Sequence, residues 1–532
     1  MLGLLKPIGD FLAAGPSGRD LPKGRSPIPS VTRRPRLAPS IRRFDAAGDT
    51  SLTGDWQPVY GSINQQLATT LAVMRGRARA NAQNNPFMKG FLGRLRVNVI
   101  GHHGIGMQSD AILPDGSPDE TARGLIESAW RAWEKKANCT VDARMGLTQF
   151  AQTALVSAAT DGEVFTHLVR NFADNDFRFA VQGLPGHLVP THSSARPIDA
   201  GNKLVLGVEE NPGGRPVAYH VSERATGAAL FIGGPIVRPT RRVPAEDIAH
   251  MYVSDQFGQA RGVPWTDAVM KRLRQIGGYE EAAVVNARVG ACKTAYIKQE
   301  QADDYLGRDT RGGEDAPAVM AGDPDDQFEG VSEELVPGTK EILPPGTDLA
   351  TFDPTYPDSE FAAFMRAMLM GVAAGLPVTY TGLTGDLTGV NFSSLRQMAI
   401  EERDIWRALQ SWLIDYLYDP IFDAWLPWAI TAGQIPGLSI ADLPRLQPRI
   451  WQPRGWDWVD PVKDQRANDE AIAMLQKTHS QVARERGQDF EQICAQRQRD
   501  RQIAKRYDIE LPENLPASAP NVAPEEDEGI AS

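Results

Sequence analysis

The chain has 532 residues, 42% apolar, 23% charged and 8% aromatic, with a net charge of −11, a composition that excludes a wholly disordered, collagen-like or disulfide-scaffold protein. At about 150 residues per domain it makes roughly three or four units, which can belong to one continuous architecture. Cys139, Cys292 and Cys494 stand far apart, so no CxxC or zinc-finger spacing exists, and the odd count argues against a disulfide framework and for a reducing compartment.

The opening MLGLLKPIGDFLAAG has no basic residue ahead of Leu2–Leu5 and meets Pro7 at once, so no cleaved signal peptide is expected. From Arg19 to Arg43 eight basic residues face one acid, Asp20, among Pro22, Pro27, Pro29, Pro35 and Pro39, the signature of a solvated, extended basic arm. Apolar spacing over 62–97, broken at Asn84-Asn85-Pro86, predicts two helices around a turn. Residues 97–108 (VNVIGHHGIGMQ) predict a strand followed by a loop. A helix from Pro118 to about Ala137 carries Trp130 and Trp133, with Ser117 as expected N-cap.

Between Val164 and Val253 the period turns to two: EVFTHLVR, FRFAVQGL, LVLGVEE, PVAYHVSE and AHMYVS predict a mostly antiparallel β unit. A helix is expected from about Val263 to Ala295 and another from about Asp358 to Ala374. Between them, Glu300–Glu341 holds thirteen acids against Arg308, Arg311 and Lys340, a local balance that nearly equals the net charge of the whole protein. The apolar run 361–378 contains Arg366 and ends at Pro377, which predicts a buried helix and no membrane span.

Residues 375–391 (GLPVTYTGLTGDLTGVN) carry four glycines, four threonines and no Lys or Arg, and read as a flexible loop. A long helix follows from Phe392 to about Trp428. Seven of the eleven tryptophans lie between 406 and 458, a density that points to core or subunit interface. A last helix spans 461–507 with a break at Gly487. The Pro/Ala-rich tail after Leu511, ending in Glu525-Glu526-Asp527-Glu528, reads as disordered.

No catalytic constellation emerges. There is no GxxxxGK[ST], HExxH, GxSxG or CxxC. His102-His103 has no carboxylate at ligand spacing, and Asp323, Asp325 and Asp326 lack the glycine and glutamate of a calcium loop. No metal, no cofactor and no enzymatic activity are expected.

The segments 78–108 (ARANAQNNPFMKGFLGRLRVNVIGHHGIGMQ), 373–406 (AAGLPVTYTGLTGDLTGVNFSSLRQMAIEERDIW) and 455–472 (GWDWVDPVKDQRANDEAI), in this order, resemble the portal proteins of tailed bacteriophages, specifically the lambda-type family. The resemblance implies an α+β subunit of a dodecameric ring at one capsid vertex, assembled in the host cytoplasm and carried in the virion. It implies double-stranded DNA passing through without sequence preference. The implied partners are the major capsid and scaffold proteins, the terminase large subunit and then the head-tail connector.

On that pattern 1–44 is the basic arm, 45–260 the wing, 261–295 the first stem helix and 296–350 the acidic clip. The second stem helix is 351–375, the tunnel loop 376–392, the wing-return helix and Trp-rich link 393–460, the crown 461–510 and the acidic tail 511–532. The family pattern does not account for the long basic arm.

The resemblance assigns weak DNA contact to Thr379, Tyr380, Thr381, Thr384, Thr388 and Asn391. It puts Lys271, Arg272, Arg274 and Arg366 near the lumen or between subunits; 271, 272 and 274 cannot share one helix face. It gives partner docking to Asp323, Asp325, Asp326, Glu333 and Glu334. Two rivals share the absence of catalytic motifs or the acidic cluster. A head-tail adaptor or other structural virion protein is usually much shorter, and a metal-dependent DNA-processing enzyme needs carboxylates on a rigid framework.

Overall fold

The computed structural model describes residues 61–191, 196–197, 201–222, 240–291, 295–299, 347–351, 361–456 and 461–509, all within the compact unit Gly61–Ser532. The basic arm, the acidic run 300–341, Trp458 and the tail after 511 lie outside the described residues.

Helix α1 (Ile63–Asn84) opens on a capping box made by Ser62 and Gln65 and buries Leu67, Leu71, Arg75 and Ala78, one stripe at helical spacing. The break falls at the expected place. Asn85 ends α1, and its side chain accepts from the Met88 N–H to start α2 (Pro86–Leu95), with Pro86 in the first turn. Residues 97–108 differ from the expectation. The helix continues as a wide π turn, Arg96–Ile100, which lets the adjacent Val99 and Ile100 both be fully buried. The loop comes next and strand β1 (Gly106–Ser109) last.

Helix α3 (Glu120–Trp133) starts later than expected. Its cap is Asp119, which accepts from the Ala122 N–H, while the Ser117 hydroxyl donates to Asp115 at 2.6 Å and Pro118 is held in a bridge to Ile112. After the single turn α4 (Lys136–Cys139), α5 (Leu147–Asp161) leads through Gly162 into the sheets.

The β unit is antiparallel throughout its strand pairs. β2 (Glu163–Arg170) lies between β3 (Phe179–Pro185) and β9 (Ile248–Tyr252). A second sheet runs β4 (Arg196–Pro197), β5 (Lys203–Val205), β6 (Val208–Glu210), β7 (Pro216–Ser222), β8 (Thr240–Pro244). β8 was not legible in the sequence because TRRVP buries only Val243.

Helix α6 (Met270–Ala291) begins seven residues later than the apolar pattern suggests, after turns at Pro264 and Thr266. It leads into a two-stranded antiparallel ribbon, β10 (Ala295–Gln299) with β11 (Thr347–Thr351), which brackets the acidic run. Helix α7 (Phe361–Ala374) returns along α6, followed by the short α8 (Tyr380–Thr384).

Helix α9 (Phe392–Leu413) continues through a π turn at Ile414–Tyr418 into α10 (Asp419–Thr431). Trp130 and Trp133 of α3 pack on Trp425 and Phe422 of α10 at ring separations of 5.0–6.1 Å, and Trp406 is 2% exposed. The described tryptophans are in the core or packed against it. After α11 (Leu443–Leu446), β12 (Arg449–Gln452) pairs with β1 across more than 340 residues of sequence. The described C-terminal residues form three helices, α12 (Pro461–Ala473), α13 (His479–Glu485) and α14 (Phe490–Arg506). Besides the expected break at Gly487, a second falls at Leu475, where φ is positive and Thr478 caps the next helix.

Candidate functional site

The frame of the site is a buried ionic centre where α1, the sheet and the approach to α6 meet. Arg75, Glu163 and Arg261 are 4%, 0% and 0% exposed. Both Glu163 oxygens accept from Arg261 Nε at 2.8 and 2.9 Å, Oε2 also from the Gly262 N–H at 3.0 Å, and Oε1 from Arg75. The remaining guanidinium donors go to main-chain oxygens, Arg261 to Val189, Leu206 and Gly186, and Arg75 to Asp161 and Gly186. Every charge here has a partner, which is what burial demands.

His250 Nε2 lies 3.1 Å from Glu163 and its Nδ1 3.4 Å from the Tyr219 hydroxyl, partners that suit a neutral ring protonated at Nε2. Burial lowers the His250 pKa. Burial alone would raise Glu163, but Arg261 and Arg75, with the bond from His250, hold it well below the usual carboxylate range. Gly162 and Gly262 let the two chain segments cross beside this centre. Gly162 sits at φ +87°, and a Cβ on Gly262 would come within 2.0 Å of the Gly162 carbonyl oxygen.

From this frame α6 and α7 run as an antiparallel pair. Tyr279 stacks on Phe361 at 5.5 Å, Arg272 lies over Gly371, and Val269 meets Gly375. Lys271 and Arg274 line a cavity of about 810 Å³ against α1, beside Arg77, whereas Arg272 faces α7. Arg366 on α7 turns to the loop, donating to the Thr388 carbonyl at 3.1 Å, with its guanidinium 5.7 Å from the Tyr380 ring centre and 3.9 Å from Asp386.

The 376–392 segment is more ordered internally than its glycines suggest. Thr379 caps α8, accepting from the Gly382 N–H at 3.0 Å, and donates to Glu402 on α9 at 3.0 Å. Thr381 lies 3.3 Å from the Thr379 hydroxyl. The Tyr380 hydroxyl donates to Asp386 at 2.9 Å and the Thr384 hydroxyl to the Tyr380 carbonyl at 2.8 Å. Asn391 caps α9 through the Ser394 N–H.

Thr388 donates to Asp386 through both backbone and hydroxyl; these bonds, with that from Tyr380, lower Asp386 to about 2. The four hydroxyls from Thr379 to Thr384 are thus half-buried and internally engaged. The exposed tip is Gly385, Leu387, Thr388, Gly389 and Asn391. Leu387, 59% exposed, carried no sequence signal beyond standing among glycines.

The docking carboxylates Asp323, Asp325, Asp326, Glu333 and Glu334 lie outside the described residues. Among the described residues no group of three His, Cys, Asp or Glu is placed to hold a metal ion, and no helix is long and apolar enough to cross a membrane.

Residues 49–410 match the family model described as phage portal protein, lambda family. A probable portal protein of Halomonas phage phiHAP-1 is 32% identical over 483 residues, 90% of each chain. The chain belongs to the lambda family of phage portal proteins. Portal protein B of Escherichia phage lambda is 21% identical over 470 residues, 84% of this chain and 86% of that one. A chain from the neck of an empty GTA particle is 15% identical, covering 82% of this chain and 97% of its own, with a TM-score of 0.40. A portal is a structural component of the virion that serves DNA packaging, not an enzyme.

Proposed function

We propose that twelve copies of this portal chain close head to tail into a ring at one capsid vertex, with α6 and α7 as the stem and the 385–391 tip toward the DNA. The observation that carries this is the apolar surface of the stem pair. Helix α7 has one charged residue, Arg366, yet Phe364 and Met370 are each 46% exposed, and Val284 and Val285 on α6 are 50% and 48% exposed. A helix apolar all round belongs inside something, and a second copy of the same pair is the cover that a ring supplies.

The tip suits a duplex that must slide. Between 376 and 391 the one charged residue is Asp386, and it is occupied by Thr388 and Tyr380. Hydroxyl, amide and glycine surface meets phosphates without Coulomb capture. Twelve copies of −11 sum to about −130, which repels DNA from most of the lumen. The acidic run 300–341, reached through the β10–β11 ribbon, is the surface for the terminase motor and then the head-tail connector. The capsid and scaffold proteins bind the outer rim during assembly in the host cytoplasm.

Negative-stain microscopy of the purified chain tests the ring: channelled rings support it and monomers overturn it. Leu387→Lys tests the tip, since a ring of cations in the path stalls packaging while assembly is unchanged; normal packaging in intact rings contradicts the placement. Neutralising Asp323, Asp325, Asp326, Glu333 and Glu334 together weakens motor docking, most at low ionic strength. Docking indifferent to both mutation and salt removes the electrostatic argument.

A further inference from the structure

Away from the loop, a cleft of about 680 Å³ opens between α9, the link Pro453–Trp456 and α13, lined among the described residues by Arg396, Arg403, Arg407, Arg454, Lys477 and Arg484 with one carboxylate, Glu485. Three of these arginines come from one face of α9, at spacings of seven and four residues. No other cavity described in the molecule gathers cations in this way, and the stem and loop chemistry does not use it.

Two of these cations are held in place without being cancelled. Arg454 donates to the Val97 carbonyl and to Asn98 at 3.1 Å, and Arg484 to the Ser480 carbonyl at 3.4 Å, all neutral acceptors. The guanidiniums of Arg407 and Arg454 lie 5.7 and 5.9 Å from the centre of the Trp456 ring, which props both forks at the cleft wall. Lys477 pairs with Glu485 at 2.9 Å and Arg407 with Asp404 at 2.8 Å. Both pairs are partly or largely solvent-exposed, so a stronger anion exchanges for them at little cost.

We propose that this cleft is a second DNA site of the portal, one that grips the phosphate backbone of double-stranded DNA without reading bases. From Arg396 to Arg407 the cations span about 16 Å along α9, about half of a duplex turn, so several phosphates of one strand fall within reach. A protein partner would need an apolar anchor. The cleft offers little, because Ile400 is its one exposed aliphatic side chain among the described residues and the Trp456 ring is flanked by its two arginines. The inference takes from the portal reading only that duplex DNA is the polyanion at hand; it depends on neither the ring nor the tip.

The test is duplex DNA binding by the purified full-length protein across a salt series, with assembly state scored separately by microscopy. Arg396→Gln with Arg484→Gln is expected to weaken binding and lower the slope of log affinity against log salt by about 1 for each contact removed. Arg215→Gln with Arg241→Gln, the same charge change on the exposed β unit, leaves the slope unchanged. On the unmodified protein, DNA is expected to slow acetylation of Lys477. An unchanged slope in the cleft variant, or Lys477 acetylated at the same rate with and without DNA, overturns the assignment and gives the cleft to an acidic protein segment.

Discussion

Glu163 and Asp386 are both carboxylates set against arginine and a hydrogen-bonding side chain, yet Glu163 has no exposed side-chain surface and Asp386 keeps 29% of its own. The surroundings decide what each network does. Around Glu163 no side-chain surface is open to bulk solvent, charge interactions are weakly screened, and all partners come from elements far apart in sequence, so the centre locks α1, the sheet and the approach to the stem together. Around Asp386 the partners are at most twenty residues away and water competes for each. That network shapes a tip without fixing it to the frame, a division suited to a ring that must stay rigid while something moves past its loops.

The contrast can be broken most severely at the frame. Glu163→Gln leaves Arg75 and Arg261 buried with their shared counter-charge gone and is expected to cost about 3–5 kcal/mol, read as a fall in thermal midpoint or loss of soluble protein. A midpoint within a degree of the parent would mean that water reaches the centre.

Acidification gives a smaller and graded effect. His250 is held below its ordinary value of 6.5 and Glu163 below 4.5, so in both cases the unfolded chain takes up a proton that the folded chain refuses. Stability is therefore full above about pH 6.5, starts to fall below it on account of His250, and falls further below 4.5 on account of Glu163. A thermal-midpoint series over pH 3.5–8 checks the sign, and His250→Gln shrinks the upper step to the part contributed by His167, which burial also lowers; stability rising on acidification would contradict the assignment.

The smallest global effect comes from the loop. Arg366→Ala frees the Thr388 carbonyl and the Tyr380 face while leaving the core untouched, so the thermal midpoint stays where it is and amide hydrogen exchange over 385–391 speeds up. Exchange unchanged in that segment would show that α8 alone orders the tip.

Much of this fold was legible in the sequence where the signal is local. Asn85-Pro86 marks a helix junction by its own chemistry, alternating runs such as EVFTHLVR announce strands, and clustered tryptophans announce core. The reading failed where distance or tertiary packing decides. Nothing in the sequence pairs Arg261 with Glu163, 98 residues away, or with Arg75. Val97–Ile100 looks extended because Val97, Val99 and Ile100 are β-branched, but burying Val99 and Ile100 together favours a π turn. The 376–392 segment was read by its glycines as free, whereas its threonines and Asp386 bond to their own backbone and to one another, the usual competing use of such residues.

The central claim is that one chain supplies both a rigid, ring-closing stem and a neutral tip facing the DNA, and an electron cryomicroscopy map of the assembled full-length particle tests it most directly. The account predicts Phe364 and Met370 buried against a neighbouring copy and Leu387 among the side chains nearest the ring axis. Phe364 and Met370 in solvent, or the 385–391 tip on the outer rim, would contradict it.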